Sequence, residues 1–203
     1  MLVGRLRASG VAIRHLDLGG GIGVPYTLSE KAPEIRCVIE GIRERVAGHD
    51  LHVQVEPGRS IIAEAGVLLT RVLHRKRTSR KEFAIVDAVM NDLIRPALYK
   101  SHHEIVAVRK DESRPETRLD IVGPVCETGD FLARDREMPS VEPGELLAVS
   151  TAGAYGFVQS SNYNSRPRPA EVLVNGCHWS TIRARESYED LVRGEEERHA
   201  TNG

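Results

Sequence analysis

The sequence predicts an α/β segment followed by a domain of antiparallel β-strands. Strand and helix patterns alternate over residues 14–66, which is typical of a parallel sheet or an α/β barrel. From about residue 67 onward, short strand-like runs are separated by proline, glycine and charged turns, as in antiparallel β domains. The basic stretch 74–81 is the predicted seam between the two parts.

The α/β segment is predicted from apolar spacing and turn residues. A strand over 13–18 leads into the glycine triplet Gly19–Gly21, and helical spacing follows over 29–46 with Ser29 as the predicted N-cap. Alternation over 51–55 predicts the next strand, and a further helix begins after the proline and glycine that end it.

The second part is predicted as short strands closed by a helix. The predicted strands are 67–73, 83–89, 104–108, 119–122, 146–150 and 170–174, and the closing helix spans 188–192. A frayed tail is expected after it, over 199–203.

Composition and charge exclude several classes of protein. The net charge of -1 in 203 residues gives no reason to expect a nucleic-acid partner. The longest uncharged stretch, 146–165, is too polar for a membrane span. The three cysteines have no CxxC spacing, so neither a disulfide framework nor a metal site is predicted, and a reducing cytoplasm is expected.

Two turns in the α/β segment are candidate ligand sites. The glycine triplet lets backbone amides approach a phosphate, but it does not fit GxGxxG, so a plain tight turn is an equal alternative. The turn Glu56–Arg59 places a carboxylate, an amide and a guanidinium after a strand. An arginine there suits a phosphate or a carboxylate.

Four further motifs concentrate polar residues in the β part. They are 87–99 with Arg95 and Tyr99, 123–130 with Cys126 and Glu127, 152–156 with Tyr155, and the polar loop 160–166. Taken singly, each is more typical of an ordinary turn, and Cys126 of a small buried hydrophobe. His102 and His103 are interpreted as a strand-edge pair without a chemical role.

Five motifs in their joint order carry a resemblance. The series HLDLGGGIGVPY, EPGRSIIAEAG, DAVMNDLIRPALY, GPVCETGD and AGAYGFVQSSNYNSRPRPAEVLVNG closely resembles the diaminopimelate decarboxylases, pyridoxal-phosphate enzymes of the alanine-racemase-like fold, from about Leu16 to Leu191. The resemblance implies the C-terminal part of a TIM-like (β/α)8 barrel over 1–75, the antiparallel β domain over 76–182, and a helix and tail over 183–203.

The resemblance also implies roles for individual residues. Pyridoxal 5'-phosphate would be bound by Gly20, Gly21, Glu56, Gly58, Arg59 and Tyr155, with Glu56 facing the pyridine nitrogen. A carboxylate there keeps the nitrogen protonated and strengthens the ring as an electron sink. The implied substrate contacts are Arg59, Arg95, Tyr99 and Glu127, and Cys126 is the implied proton donor. A homodimer is expected, with the Cys126–Glu127 turn presented to the neighbouring subunit's site.

The resemblance further implies a substrate. Relatives that decarboxylate ornithine or arginine have aspartate after the cysteine, whereas here the residue is Glu127. With the arginine and tyrosine of RPALY, it suits a distal centre that carries both an ammonium and a carboxylate. Decarboxylation of meso-2,6-diaminopimelate to L-lysine and CO2 is therefore expected, with an ornithine or arginine decarboxylase as an alternative.

Two departures from the family pattern are expected to matter. Val89 stands where glycine is usual, so a local distortion is expected. The Schiff-base lysine belongs to the family's N-terminal part, and a complete barrel takes around 250 residues, so these 203 residues alone are predicted to be inactive. A non-catalytic truncated homologue that binds or regulates a full-length decarboxylase is the alternative.

Overall fold

The first part of the chain alternates helices and strands, as predicted. The computed structural model describes residues 2–195. The elements are α1 (Leu2–Ala8), β1 (His15–Asp17), α2 (Ile35–Val46), β2 (His52–Gln54), α3 (Gly58–Ile62) and a 3-10 turn over Ala63–Ala65. β1 and β2 pair in parallel, with Asp17 opposite Gln54. A closed barrel stays a prediction.

Helix α2 begins six residues later than predicted, so Ser29 is not its N-cap. Proline disfavours the helical conformation in the residue before it, and Pro33 therefore delays the helix until the extended Glu34, which serves as N-cap at φ -64° and ψ 121°. Residues 26–30 form a turn of their own, in which the Glu30 carboxylate accepts hydrogen bonds from the backbone N–H groups of Tyr26 and Thr27.

Within residues 68–149, six strands form one mixed sheet. They are β3 (Leu68–Arg77), β4 (Glu82–Val86), β5 (Ile105–Ala107), β6 (Glu116–Val122), β7 (Phe131–Pro139) and β8 (Leu146–Val149), in the order β5-β8-β3-β4-β6-β7. The prediction of a purely antiparallel domain is wrong, because β4 and β6 are parallel. Parallel neighbours need a crossover, and the chain supplies one through α4 (Arg95–Tyr99) and β5.

The two edges of the mixed sheet approach each other through one arginine. Arg136 on β7 donates to the backbone oxygen of His103, just before β5, at 2.7 Å. It also lies 3.4 Å from the Glu104 carboxylate. The sheet is consequently nearly closed around an apolar core. That core consists of Val72, Ala84, Val86, Ala88, Leu93, Ile105, Leu119, Ile121, Leu132, Ala133, Met138, Val141, Leu147 and Val149.

Strands with many charges were missed from the sequence. β7 was not predicted, because it carries four consecutive charged residues over 134–137 and its buried positions do not alternate regularly. Register shifts also interrupt its pairing with β6. Half of the seam predicted at 74–81, and the predicted boundary at 75, lie inside β3. The basic residues lie on the exposed end of this strand and pair with acids, as Arg75 does with Glu142 at 2.7 Å, so they do not mark a linker.

The remaining described residues form a hairpin and a short helix. β9 (Glu171–Asn175) and β10 (His178–Arg183) pair antiparallel, and β10 was not predicted. The closing helix is confirmed as α5 (Tyr188–Leu191), which begins with a capping box between Ser187 and Asp190. The predicted tail over 199–203 lies outside the described residues.

Candidate active site

The carboxyl ends of β1 and β2 bring the glycine triplet against the EPGR turn. The Glu56 N–H donates to the Gly19 oxygen at 2.8 Å. A Cβ on Gly20 would lie 2.3 Å from the Glu56 backbone oxygen, so only glycine permits this approach. Gly19 and Gly21 have φ values of +69° and +83°, and no atom lies within 4 Å of a Cβ built on either, so the turn forms an open cradle lined by backbone.

The charged groups of the EPGR turn have no hydrogen-bonding or ionic partner within the described residues. Among the hydrogen bonds and ion pairs of residues 2–195, none involves the side chain of Glu56 or Arg59. Gly58 N–H is turned inward and donates to the Glu56 oxygen at 2.9 Å. A glycine cradle beside an unpaired carboxylate and an unpaired guanidinium fits pyridoxal phosphate, which carries a phosphate and a basic ring nitrogen.

Arg95 lies at the start of α4 in a cage of aromatic rings. Its guanidinium carbon is 5.4 Å from the ring centroids of Tyr26 and Tyr155 and 5.9 Å from that of Tyr99. Its Nη2 donates to the Tyr26 hydroxyl at 3.0 Å. Only 8% of the residue is exposed, and none of the described ion pairs includes it. A buried cation without an acid is costly, so the cage is suited to an anionic ligand.

His103 orients Arg95 from below the cage. Its Nδ1 is 3.0 Å from the Ser150 carbonyl oxygen, and since a carbonyl only accepts, Nδ1 carries the proton. The other ring nitrogen, Nε2, then accepts from Arg95 Nε at 3.4 Å. Burial lowers the pKa of His103, and the nearby Arg95 charge adds to this effect. The neutral imidazole therefore holds the guanidinium without competing for its ligand.

Tyr155 lies in a glycine-rich loop that packs directly on the α/β part. A Cβ on Gly153 would lie 2.0 Å from the Ile62 oxygen, and Gly153 N–H donates to the Ala63 oxygen at 2.9 Å. Tyr155 has a φ of +60°, a left-handed conformation that bulky residues rarely adopt. The loop thus brings the tyrosine ring to the Arg95 cage at the boundary between the two parts.

The Cys126–Glu127 turn lies at a different place on the sheet part. Both residues are exposed, and Cys126 is a free thiol. The Gly129 N–H and the Tyr163 hydroxyl each donate to Glu127 at 3.0 Å, and these bonds lower the pKa of its carboxyl. Because Cys126 is exposed, the interpretation of this residue as a small buried hydrophobe is wrong.

The buried Asp130 carboxylate fastens this turn to the loop before α4. Its two oxygens accept hydrogen bonds from the backbone N–H groups of Met90 at 2.8 Å and Val125 at 2.9 Å. Two of the predicted motifs, 87–99 and 123–130, are therefore joined by one side chain. Nevertheless, no hydrogen bond, ion pair or ring contact within residues 2–195 links Cys126 or Glu127 to the Arg95 cage.

Val89 causes no left-handed strain where the family pattern has glycine. It is absent from the positive-φ residues of the described chain, it is fully buried, and its N–H donates to the Asp92 carboxylate at 2.8 Å. The expected local distortion is wrong, because the valine side chain fits the core in an ordinary conformation. Burial raises the pKa of the neighbouring Asp92 carboxyl.

Several residues of the site were missed from the sequence. Tyr26 follows the glycine triplet but carries no motif signal of its own. His103 was interpreted as part of a strand-edge pair, yet it is fully buried. Tyr163 lies within the polar loop 160–166, for which the sequence indicates no role for an individual residue. The described residues contain no group of His, Cys, Asp and Glu that could hold a metal ion, nor a helix long and apolar enough to cross a membrane.

Comparison with known proteins shows which family this fold and site belong to. Residues 24–153 match the family described as pyridoxal-dependent decarboxylase, C-terminal sheet domain, and the chain belongs to this family. Relatives are named diaminopimelate decarboxylase. That of Pseudomonas aeruginosa is 58% identical over 96% of this chain and 46% of the relative, and that of Vibrio cholerae is 49% identical over 94% and 45%.

Solved structures give the same result. The structure of diaminopimelate decarboxylase from Helicobacter pylori complexed with L-lysine is 42% identical and has a TM-score of 0.85, over 95% of this chain and 47% of that chain. The crystal structure of AQ1208 from Aquifex aeolicus has a TM-score of 0.90 at 47% identity. The chain spans about half the length of the curated relatives it matches.

Proposed function

We propose that the protein containing this chain decarboxylates meso-2,6-diaminopimelate to L-lysine and CO2 with pyridoxal phosphate. The observation that carries the proposal is the Arg95 cage, a buried guanidinium whose hydrogen-bond partners within residues 2–195 are all neutral. Such a group is suited to a substrate carboxylate, which it can bind through two parallel hydrogen bonds. Tyr99, beside it at 5.9 Å, offers a hydroxyl to the same end of the substrate.

The residues of the two strand-end turns are proposed to hold the cofactor. Gly20 and Gly21 offer a backbone cradle for its phosphate, with Gly58 and Arg59 close by. Glu56 would interact with the ring nitrogen and keep it protonated, and Tyr155 would contact the ring. When bound, pyridoxal phosphate supplies an electron sink for the pair released as CO2 leaves. Arg59 also serves as a substrate contact.

Cys126 and Glu127 are proposed to act in the site of the neighbouring subunit of a homodimer. Glu127 accepts the distal ammonium, and the Cys126 thiol donates a proton to the carbon that has lost its carboxylate. Support comes from the exposure of both residues and from the absence of any contact between them and the Arg95 cage within residues 2–195. The three free cysteines agree with a cytoplasmic enzyme, which we also propose.

Release of CO2 from meso-2,6-diaminopimelate by the full-length gene product tests the reaction. Arg95→Lys should lower kcat/KM by about 10- to 100-fold, because a charge-assisted hydrogen bond contributes roughly 1.5–3 kcal/mol. The matched control Arg109→Lys, at an exposed position, should leave kcat/KM unchanged.

The substrate assignment has its own contrary outcomes. Faster release of CO2 from ornithine or arginine than from diaminopimelate would favour the alternative decarboxylases. A folded, cofactor-loaded protein that releases CO2 from none of the three would contradict the enzyme assignment.

A further inference from the structure

We propose that Tyr163 is a positioning residue that sets substrate specificity by fixing the Glu127 carboxylate for the distal ammonium group of the substrate. The inference rests on the proposed function and extends it to Tyr163, which lies in the fifth motif but is not among the site residues that the resemblance implies. Glu127 is exposed, and a free glutamate side chain on a turn would populate several rotamers. Its orientation must therefore come from its hydrogen bonds.

Both oxygens of Glu127 are restrained, each by a different part of the chain. The Gly129 N–H donates to Oε1 at 3.0 Å from within the same turn. The Tyr163 hydroxyl donates to Oε2 at 3.0 Å from a loop 36 residues away. A carboxylate oxygen has two acceptor positions, so each oxygen keeps one for a ligand while the side chain stays fixed.

The loop that carries Tyr163 is held in an unfavourable backbone conformation. Asn164 and Ser165, which follow it, have φ values of +58° and +52°. Non-glycine residues pay a conformational cost in this region and adopt it where surrounding contacts require it. The required contacts begin on both sides of the tyrosine, so its place opposite Glu127 is imposed by the fold.

Two segments outside the loop, together with a hydrogen bond within it, provide these contacts. Asn162 Nδ2 donates to the Glu186 carboxylate at 2.6 Å and to the Arg166 oxygen at 3.0 Å. The Arg166 guanidinium donates to the Asp87 oxygen at 3.0 Å. Glu186 is itself paired with Arg168. The segment before α5 and the loop after β4 thus anchor the loop that orients Glu127.

The protonation states support the same direction of hydrogen bonding. The Gly129 N–H and the Tyr163 hydroxyl lower the pKa of Glu127, which favours the carboxylate. In turn, the hydrogen bond to Glu127 and its negative charge raise the pKa of Tyr163, which keeps the phenol protonated as a donor. At neutral pH the pair therefore presents one negative charge, and that charge complements an ammonium group.

Kinetics of the full-length gene product with two substrates test the inference. Tyr163→Phe should raise KM for meso-2,6-diaminopimelate about tenfold with kcat changed less than about twofold. For 2-aminopimelate, which lacks the distal ammonium, both constants should stay within about twofold. The control Tyr188→Phe removes a hydroxyl from a residue that is 72% exposed and should leave KM and kcat unchanged for both substrates. Equal losses for both substrates would show a structural role and overturn the inference.

A binding measurement separates this inference from the proposed function. Measured by calorimetry, Tyr163→Phe should weaken the binding of L-lysine about tenfold. It should not weaken the binding of 6-aminohexanoate, which lacks the α-ammonium. In a Glu127→Gln background, Tyr163→Phe should have no further effect on either ligand. If wild-type protein releases no CO2, the proposed function fails while the binding comparison still decides on Tyr163. If wild-type protein is active and the selectivity is unchanged, only the Tyr163 inference fails.

Discussion

The sheet part and the α/β part of the chain bury their apolar residues very differently. Val3 and Ala63 are the buried apolar residues described before β3, and α2 buries none of its twelve residues. The mixed sheet, by contrast, encloses a continuous apolar core. Because burial of apolar surface is the main stabilising contribution to folding, the stability of residues 2–195 is concentrated in the sheet part.

The candidate site spans these two unequal parts. The glycine triplet and the EPGR turn belong to the weakly packed α/β part, whereas Arg95 and the Cys126–Glu127 turn belong to the sheet part. The two are tied by the Arg95 contact with Tyr26 and by the packing of Gly153 on Ile62. The residues proposed to bind the substrate therefore lie on a formed apolar core, whereas those proposed to bind the cofactor lie on strands and turns with few buried apolar residues.

Matched isoleucine truncations should expose the difference most strongly. Ile121→Ala in β6 removes a fully buried side chain and should lower the free energy of unfolding by about 2–5 kcal/mol. Ile39→Ala in α2, where the side chain is half-buried, should cost less than about 1 kcal/mol. Urea denaturation of the 203-residue chain, followed by circular dichroism, measures both. Equal losses would mean that α2 contributes to the same core, and the comparison would be wrong.

Val89→Gly should be the next largest change, and it restores the residue usual in the family pattern. If valine distorted the loop, the glycine variant would be more stable. Because Val89 is fully buried without a positive φ, we expect a loss of about 2–3 kcal/mol from lost burial and from the greater backbone entropy of glycine. The measurement is again urea denaturation, and Val67→Gly, at a residue that is 54% exposed, is the control for glycine entropy.

The order of elements could be predicted from local patterns, but sheet topology could not. The apolar spacing over 35–46 and the alternation over 52–54 are local patterns, and they are sufficient to predict α2 and β2. The parallel pairing of β4 with β6 depends on a crossover that no local pattern encodes. β7 was missed for a related reason, since register shifts and its mixed charges remove the simple alternation of a half-buried strand.

The candidate site divides in the same way. Motif residues such as Gly20, Glu56 and Arg95 stand in recognisable strings, so the sequence indicated them. Tyr163 contributes through a contact across 36 residues, and His103 through burial beneath Arg95. Neither contact leaves a spacing signal, because it arises only once the sheet has formed.

The smallest expected effect concerns His103 and the pH dependence of stability in the sheet part. Burial places the folded-state pKa of His103 below its usual value of 6.5. As pH falls below 6.5, the unfolded chain therefore binds a proton that the folded chain does not, and stability decreases. Between pH 7.5 and 5.5 the free energy of unfolding should fall, by at most about 1.4 kcal/mol, the limit for a histidine that stays neutral in the folded protein. The Glu186 carboxyl, whose pKa Arg168 lowers to about 2, changes stability only at lower pH.

His103→Asn separates this contribution from all others. The asparagine amide can still donate to the Ser150 oxygen but does not titrate, so the loss of stability between pH 7.5 and 5.5 should shrink by the contribution of His103, which is at most about 1.4 kcal/mol. Urea denaturation at both pH values measures the change in both proteins. An unchanged loss in the variant would mean that His103 is protonated in the folded protein. In that case its Nε2 could not accept from Arg95, and the orientation of the cage would need another cause.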